Sequence, residues 1–409
     1  MANKTVILAY SGGLDTSCIL AWLVERKYKV IAFMADVGQD EDFTEAYNKA
    51  KNLGATKVVI EDLKAEFITE FIWPAVRAGA IYEGRYLLGT SLARPCIARA
   101  LVKLAKEENA SYVAHGATGK GNDQIRFELT FYTLLPSIKI LAPWRMAEFY
   151  NCFRGRQDLI SYAKKHNIPI SITPKAPWSM DANLMHISYE SGILEDPSKT
   201  APDGIFTMTT DPQNCPNVAE KLEIYFENGI PIKVINIGDG TIREGPLDMF
   251  LYLNEVGSKH GIGRIDIVEN RYIGVKSRGC YETPGGTILF EAHLDLEVYA
   301  MDREVLKLKN YLTSKLSEQI YNGLWFSPEC QYTRMCIRQS QHIVTGVVGL
   351  SLFKGKISIL NRQSQKAIYN QELSSLDMTD EFTPEDVEGF IRINALRLKE
   401  YQRIQETNE

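Results

Sequence analysis

The first part of the chain alternates short apolar runs with longer stretches in which apolar residues recur at helical spacing. Five runs have the length of buried strands, at 5–9, 30–35, 57–60, 111–114 and 139–142. Helical patterns lie near 42–53, 97–107 and 156–166, while 61–96 is expected to be a long irregular connection. Strands that alternate with helices are typical of a parallel sheet. We therefore expect an α/β domain over residues 1–167.

The pattern changes after residue 167 and predicts a second domain of α+β type over 168–365. Alternating apolar residues at 221–226 and 231–237 flank Glu227-Asn228-Gly229, which is a hairpin signal. Further helices are expected near 247–259 and 301–322, and strands near 266–269, 344–352 and 356–360. The stretch 168–217 is rich in Pro, Ser, Asn and Gly, so we expect long ordered loops there.

A tail from 366 to 409 ends in a predicted helix. Thr383-Pro384-Glu385 reads as an N-cap, an N1 proline and an acidic first turn. Apolar residues lie on two sides of this helix: Phe390, Ile391, Ala395, Leu398, Tyr401 and Ile404 on one, Ile393 and Leu396 on the other. A surface helix needs only one apolar face. The helix therefore serves oligomerisation, or else it packs or frays within its own chain.

Composition narrows the possible classes of protein. The chain has 409 residues, so two or three domains are expected. A net charge of −5 argues against a nucleic-acid partner. Seven scattered cysteines form no Cys-x-x-Cys pair, which favours reduced thiols and a cytoplasmic location. No apolar run approaches the ~20 residues that span a bilayer, and the N-terminus does not predict a signal peptide.

The turn after the first strand carries the strongest chemical signal. Residues 9–17 read Ala-Tyr-Ser-Gly-Gly-Leu-Asp-Thr-Ser, between a strand and a helix. Backbone N–H groups and the positive end of a helix dipole meet there and favour a phosphate. No Lys-Ser/Thr follows the glycines, so this is not a Walker loop, and the glycine spacing is not that of the dinucleotide fingerprint. A Rossmann-like nucleotide-binding domain with a different phosphate loop is predicted.

Two further loops are expected beside this one. Ala9, Ala35 and His115 each begin a loop at the carboxyl end of a predicted strand. Ligands of open parallel sheets bind at that edge. The loop after His115 contains three glycines, which allow a ligand to approach the backbone closely.

The Ser-Gly-Gly-x-Asp-Thr-Ser sequence resembles the pyrophosphate loop of the ATP pyrophosphatase superfamily. Those enzymes cleave ATP between the α and β phosphates, adenylate a substrate oxygen and then displace AMP with a nucleophile. Asp15 lies at a predicted helix N-terminus, where the helix dipole favours a carboxylate. It either orders the turn or binds a metal, and the sequence leaves both roles open.

Further segments resemble the argininosuccinate synthase family. They span nearly the whole chain, at 85–95, 115–124, 177–190, 265–270 and 276–284. The resemblance implies that citrulline, aspartate and ATP react through a citrullyl-adenylate to give argininosuccinate, AMP and pyrophosphate. It also implies that Mg²⁺ is carried with ATP, although the sequence leaves the metal ligands unknown. A homo-oligomer is implied as well, and it is expected to be a tetramer.

The resemblance also assigns residues to each substrate. ATP is expected at Ala9, Tyr10, Ser11, Gly12, Gly13, Leu14, Asp15, Thr16, Ser17, Ala35, Ala114, His115, Gly116, Ala117, Thr118, Gly119, Lys120, Gly121 and Asn122. Citrulline is expected at Tyr86, Ser91, Asn122, Arg126, Ser179, Ser188, Glu269 and Tyr281. Aspartate is expected at Tyr86, Thr90, Ser91, Thr118, Asn122 and Asp123.

Within these sets, catalysis is expected to involve Asp15, Asn122 and Arg126. Glu269 would bind the citrulline ammonium and Arg126 its carboxylate, because a guanidinium binds a planar carboxylate bidentately. His115 and His186 either assist proton transfer or are structural.

Three other classes of protein fit less well. An ammonia-using synthetase of this superfamily usually carries or recruits a glutaminase, and no Cys follows Met1. A tRNA-thiolating enzyme would want a paired catalytic cysteine and a basic surface. An ATP sensor would not need so much polar, glycine-rich loop beyond the phosphate loop.

Overall fold

The first part of the chain forms a parallel sheet. The computed structural model describes residues 4–119, 121–169, 178–375 and 384–407. The strands of the sheet are β1 (Thr5–Ala9), β2 (Lys29–Asp36), β3 (Lys57–Asp62), β4 (Tyr112–Ala114) and β5 (Lys139–Leu141). They lie in the order β3-β2-β1-β4-β5, and every pairing is parallel. Val6, Ile7 and Leu8 of the central strand are fully buried, as expected for a sheet covered on both faces. The predicted Rossmann-like α/β domain is confirmed.

Helices connect these strands. They are α1 (Leu14–Glu25), α2 (Phe43–Asn52), α3 (Lys64–Phe67), α4 (Trp73–Ala78), α5 (Gly89–Glu107), α6 (Asp123–Leu134), α7 (Ala147–Tyr150) and α8 (Arg156–Lys165). A π-helical turn, Ile68–Ile72, joins α3 to α4, and a 3₁₀ turn, Pro143–Arg145, precedes α7.

The expectation of an irregular connection at 61–96 is wrong. This stretch contains α3, the π turn, α4 and the start of α5. Helix α5 begins eight residues before the predicted helix and has Pro95 inside it. A proline removes one backbone hydrogen bond from a helix interior. Burial of Leu92, Ala93 and Cys96 around it compensates, so tertiary packing overrides the local signal.

The second part of the chain contains two antiparallel sheets. Its strands are β6 (Ser179–Ala182), β7 (Ile187–Glu190), β8 (Glu220–Glu227), β9 (Ile230–Asn236), β10 (Ile242–Arg243), β11 (Arg264–Asn270), β12 (Lys276–Glu282), β13 (Gly346–Phe353) and β14 (Lys356–Gln363). One sheet has the order β10-β9-β8-β13-β14 and the other β11-β12-β7-β6. The predicted hairpin is confirmed as β8–β9, with Asn228 and Gly229 both at positive φ, as its two-residue turn requires.

Four helices accompany these sheets, α9 (Pro246–Lys259), α10 (Pro284–Ala300), α11 (Arg303–Tyr321) and α12 (Pro328–Ser340), with 3₁₀ turns at Gly192–Glu195 and Gln341–Ile343. The sequence pattern missed α10 and α12. At the start of α10, a Cβ on Gly285 or Gly286 would lie within 2.7 Å of Asn254 Oδ1 or Met185 Cε. Those glycines permit close packing, but they weaken the helix signal.

The expectation of loops throughout 168–217 is also wrong, because β6 and β7 lie within it. Each strand has only four residues, and one face of each is polar because it lines a cavity. Apolar alternation therefore could not reveal them.

The chain divides into two compact units, Met1–Lys366 and Ala367–Glu409. Within the second unit lie α13 (Gln371–Ser374) and α14 (Pro384–Thr407). The predicted last helix is confirmed from Pro384 onward, while its expected N-cap, Thr383, lies outside the described residues. Phe390 and Ile393, from its two apolar sides, are each 70% exposed.

A buried ion pair joins α10 to α11 and permits a test of the packing. Lys309 Nζ lies 2.7 Å from Glu297 Oε2, and both side chains are almost fully buried. We expect Lys309→Met to lower the free energy of unfolding by ~3–5 kcal/mol, because it leaves the Glu297 carboxylate buried without its cation. Urea unfolding would measure this change.

The control for this test lies on the same helix. Lys315 pairs with Glu318 at 3.3 Å, and both side chains are half exposed. Lys315→Met should cost less than ~1 kcal/mol. Equal losses for the two variants would contradict the assignment of a special role to the buried pair.

Candidate active site

The loop at 9–17 is shaped by one glycine at a position that other residues resist. β1 ends at Ala9, α1 begins at Leu14, and Gly12 between them has a φ of +73°. A Cβ at Gly12 would lie 2.9 Å from the Cβ of Ala46 in α2. Positive φ and close packing together explain the glycine. The loop thus brings the N-terminus of α1 to the carboxyl edge of the sheet.

Hydroxyl groups and one lysine hold this loop. Ser11 Oγ lies 3.1 Å from Thr16 Oγ1, and Ser17 Oγ lies 3.1 Å from the Tyr10 hydroxyl. Lys49 of α2 donates from Nζ to the carbonyl of Gly12 at 3.0 Å. Ser17 is buried, so its hydroxyl supports the loop from inside, whereas Ser11 is exposed.

A cavity of about 790 Å³ opens beside the loop, where three strand ends meet. From the predicted ATP set it is lined by Ala9, Tyr10, Ser11, Thr16, Ala35, His115, Gly116 and Ala117. The predicted convergence of the loops after Ala9, Ala35 and His115 is confirmed. Lys120 lies outside the described residues. Other members of the predicted set lie in or next to the same loops but do not line the cavity: Gly12, Gly13, Leu14, Asp15, Ser17, Ala114 and Gly119.

A second cavity of about 290 Å³ adjoins the first, and the two share Ala117, Asp123 and Asp181. It is lined by most of the residues expected to bind amino acids: Tyr86, Thr90, Thr118, Asn122, Asp123, Arg126, Ser179, Ser188, Glu269 and Tyr281. Gly121 lines it as well. The exception is Ser91, which is fully buried in α5 and lines neither cavity.

Strand register explains how five residues that are distant in sequence reach this second cavity. Asp181 pairs with Ser188, and Ser188 pairs with Tyr281 across neighbouring strands. Side chains two residues apart on a strand share a face, so Ser179 and Glu269 lie on that face too. One face of the β11-β12-β7-β6 sheet therefore forms a wall of the cavity.

Glu269 is the most deeply buried carboxylate of this wall, and it is 7% exposed. Its Oε1 accepts hydrogen bonds from the Tyr321 hydroxyl at 2.9 Å and the Tyr281 hydroxyl at 3.2 Å. Its Oε2 is buried and has no hydrogen-bond partner among the described residues. Burial raises the pKa of this carboxyl, although the tyrosine hydroxyls and the Arg126 charge oppose the shift. An unpaired buried carboxylate oxygen is well suited to a cationic ligand.

Arg126 is a buried basic group of the same cavity, and it is 5% exposed. Its Nη1 donates to Asp123 Oδ1 at 2.8 Å, and its Nε donates to the backbone carbonyl of Tyr321 at 2.9 Å. Burial alone would raise the pKa of Asp123, but the charges of Arg94 and Arg126 lower it. Asp123 therefore stays ionised.

Family models match nearly the whole chain. One, described as the arginosuccinate synthase N-terminal HUP domain, matches residues 5–169, and another, the C-terminal domain of the same enzyme, matches residues 178–401. The chain belongs to the argininosuccinate synthase family. Argininosuccinate synthases from Danio rerio, Mus musculus and Homo sapiens are 61%, 62% and 61% identical to it, and each alignment covers 99% of this chain and 98% of the relative.

The function that the motifs implied is thereby confirmed. As a member of the argininosuccinate synthase family, the chain is an ATP-dependent ligase that joins citrulline and aspartate into argininosuccinate, a step of arginine biosynthesis and the urea cycle. Among the described residues, no cluster of three or more His, Cys, Asp or Glu side chains is arranged to hold a metal ion. None of the described helices is long and apolar enough to cross a membrane.

Arg94 and Asp181 line these cavities of the argininosuccinate synthase family member, but the sequence analysis does not single them out. Arg94 donates to Asp123 Oδ2 at 2.9 Å and to Asp181 Oδ2 at 2.8 Å. Both residues fall within the matching segments 85–95 and 177–190, yet no local pattern distinguishes them from surface charges. Their partnership depends on the meeting of α5 with β6, which only the fold shows.

The two histidines have different surroundings. His115 is buried, lines the larger cavity, and lies 2.9 Å from Glu128 through Nε2. His186 is fully buried, with Nε2 at 2.8 Å from Thr90 Oγ1, and burial lowers its pKa to about 4. His186 is therefore neutral near pH 7 and orients Thr90, so its imidazolium is not a ready proton donor.

Proposed function

We propose that the two adjoining cavities divide the three substrates between them, with ATP in the larger and the amino acids in the smaller. The larger cavity contains the pyrophosphate loop and is the only one of the two that reaches Ala35. The smaller cavity contains both charged groups that a free amino acid requires. The shared residues Ala117, Asp123 and Asp181 mark the place where the α-phosphate would meet the amino acids.

Citrulline recognition rests on opposite charges in one small cavity. Glu269 Oε2 would bind the ammonium group, and the Arg126 guanidinium would bind the carboxylate. Ser179 and Ser188 line the same wall, and Tyr86, Asn122 and Tyr281 complete the enclosure. The pairing of a buried, unpaired carboxylate oxygen with a buried arginine is the observation that carries this assignment.

Aspartate would lie at the other side of the same cavity. Tyr86, Thr90, Thr118, Asn122 and Asp123 line this part. Asn122 Oδ1 accepts a hydrogen bond from the backbone of Tyr272 at 3.1 Å, which fixes its amide between the two substrates. Since Ser91 lines neither cavity, we propose for it a supporting role within α5 rather than direct contact.

The chemistry then follows from position. The ureido oxygen of citrulline attacks the α-phosphorus of ATP, and pyrophosphate leaves into the loop at the N-terminus of α1. The neutral amine of aspartate next attacks the ureido carbon, and AMP leaves. Holding three reactants in adjoining cavities would supply roughly 7–11 kcal/mol of the barrier reduction through effective molarity. Asn122 and Arg126 contribute by fixing the reacting groups.

We further propose that Mg²⁺ arrives with ATP. Magnesium keeps several waters and commonly binds through phosphates and one or two carboxylates. The exposed Asp15, in the first turn of α1, is the candidate carboxylate within the loop. The cation would neutralise phosphate charge. A cytoplasmic location remains part of this proposal, together with a domain boundary near residue 167 and a tail beginning near 366.

The first prediction from this proposed function concerns the release of pyrophosphate in the absence of aspartate. The purified chain should release pyrophosphate from Mg-ATP when citrulline is present, and it should make argininosuccinate once aspartate is added. Ornithine has the same ammonium and carboxylate ends but lacks the ureido oxygen, so it should release none. Pyrophosphate release with ornithine or glutamine, or none with citrulline, would reject the proposed route.

The second prediction concerns Arg126. We expect Arg126→Ala to raise the KM for citrulline about a hundredfold, because a buried charge partner of the carboxylate is lost at a cost of ~3 kcal/mol. The KM for ATP should change little, since Arg126 does not line the ATP cavity. Arg145→Ala, which removes an arginine paired with Glu128 outside the smaller cavity, is the control. Equal losses for citrulline and ATP would place Arg126 at the phosphates instead.

The third prediction concerns assembly. We propose a homotetramer in which α14 contacts other subunits, because apolar residues on both of its sides are exposed. A chain that ends at residue 382 should then form an assembly with fewer subunits, as judged from its mass in light scattering. Ile393→Glu should also reduce the number of subunits. Lys399→Glu is the control, because Lys399 is exposed and lies two and a half turns after Phe390, on the opposite side of the helix. An unchanged oligomer would remove α14 from the interface.

A further inference from the structure

Tyr321 lies at the C-terminal end of α11 and contacts both charged groups of the proposed citrulline site. Its hydroxyl donates to Glu269 Oε1 at 2.9 Å, and its backbone carbonyl accepts from Arg126 Nε at 2.9 Å. The Arg126 guanidinium also lies over its ring, 5.0 Å from the centroid. One residue thus holds the acidic and the basic group together, although it does not line the cavity.

The surroundings of Tyr321 fix it firmly. Its side chain is fully buried, and its ring stacks on that of Tyr82 at 3.7 Å with an angle of 5°. Just beyond it, Gly323 has a φ of +82°, and a Cβ there would lie 2.6 Å from the Cα of Arg126. The end of α11 is therefore packed directly against the backbone of α6 that carries Arg126.

The contact between Tyr321 and Glu269 matters because of the carboxylate oxygen that it uses. Tyr321 and Tyr281 both donate to Oε1, which leaves Oε2 without a partner among the described residues. Two donors on one oxygen fix the rotation of the carboxylate and direct the other oxygen toward a ligand. We propose that Tyr321 is a positioning residue that holds Glu269 and Arg126 at the separation required by the ammonium and carboxylate of citrulline. This proposal rests on the proposed citrulline site.

The same hydroxyl influences when Glu269 is ionised. The groups that face Glu269 are Tyr321 of α11, Arg126 of α6, Tyr281 of β12, Glu190 of β7, and Tyr82 and Tyr86 before α5. Burial raises the pKa of Glu269, whereas the Tyr321 hydroxyl lowers it. Removal of the hydroxyl should raise that pKa further. The ammonium group of citrulline requires the ionised carboxylate. On acidification, citrulline binding by the variant should therefore begin to weaken at a higher pH than binding by the unmodified enzyme.

Tyr321→Phe is the variant that tests this inference, since it keeps the ring, the stack and the carbonyl. We expect the KM for citrulline to rise about tenfold, the effect of losing one hydrogen bond to a charged group. The KM for ATP and for aspartate should stay within about twofold, as neither depends on this hydrogen bond. The acidic limb of log(kcat/KM) for citrulline against pH should move to higher pH.

Tyr82→Phe is the matched control. It removes a hydroxyl that donates to the Asn270 carbonyl at 2.7 Å and keeps the ring that stacks on Tyr321. It should leave the citrulline KM and the pH profile unchanged. Equal effects of the two variants, or a Tyr321→Phe enzyme with an unaltered citrulline KM and pH profile, would overturn the role of Tyr321. So would equal increases in the KM of all three substrates, which indicate a merely structural residue.

Glu269→Gln separates this inference from the site on which it rests. If the citrulline site is correctly assigned, this variant should raise the KM for citrulline at least as much as Tyr321→Phe, because the charge itself is lost. A large effect of Glu269→Gln with none from Tyr321→Phe would reject only the role of Tyr321. No effect of Glu269→Gln on citrulline would reject the assigned site, and the proposal for Tyr321 with it.

Discussion

The ion pairs around Asp123 are the interaction on which the two cavities depend. Asp123 accepts from Arg94 on one oxygen and from Arg126 on the other, and Arg94 also reaches Asp181. These four charges connect α5, α6 and β6, so they join the nucleotide-binding part of the chain to the wall of the smaller cavity. Removal of Asp123 would leave the buried guanidinium of Arg126 without an ion-pair partner among the described residues, which is costly for a buried charge.

A second constraint is that the site must stay polar while its surroundings are apolar. The β11-β12-β7-β6 sheet resolves this by alternation: Ser188 and Tyr281 face the cavity, whereas Tyr189 and Cys280 are fully buried on the other side. Neighbouring strands supply these residues in register. With the proposed placement of substrates, fixed polar groups would surround the amino acid and need no rearrangement when charge develops on the α-phosphate.

The sequence predicted the parallel sheet, the hairpin β8–β9, the meeting of three strand-end loops and most residues of the smaller cavity, but not Asp181, Glu190, Ser191 or Arg271. Local patterns sufficed for the first three, and the family motifs supplied the last. Patterns failed where exposed positions are apolar as well, as at Leu294 and Val298 of α10, or where a strand faces a polar cavity, as in β6 and β7. They also could not find Tyr321, because its role arises from contacts with Glu269 and Arg126, which are 52 and 195 residues away along the chain.

The loop at 9–17 and the smaller cavity would recognise different parts of the substrates, so neither is sufficient alone for selective binding. Backbone N–H groups at the start of α1 favour an anion but do not discriminate among phosphates. Selectivity has to come from the smaller cavity, where Glu269 and Arg126 present one negative and one positive group in a volume of about 290 Å³. A misplaced amino acid would leave one of these buried charges unpaired, and that penalty exceeds the gain from any single correct hydrogen bond. In the proposed arrangement, specificity for the amino acid therefore rests on the desolvation of Glu269 and Arg126, while the loop only has to receive the leaving group.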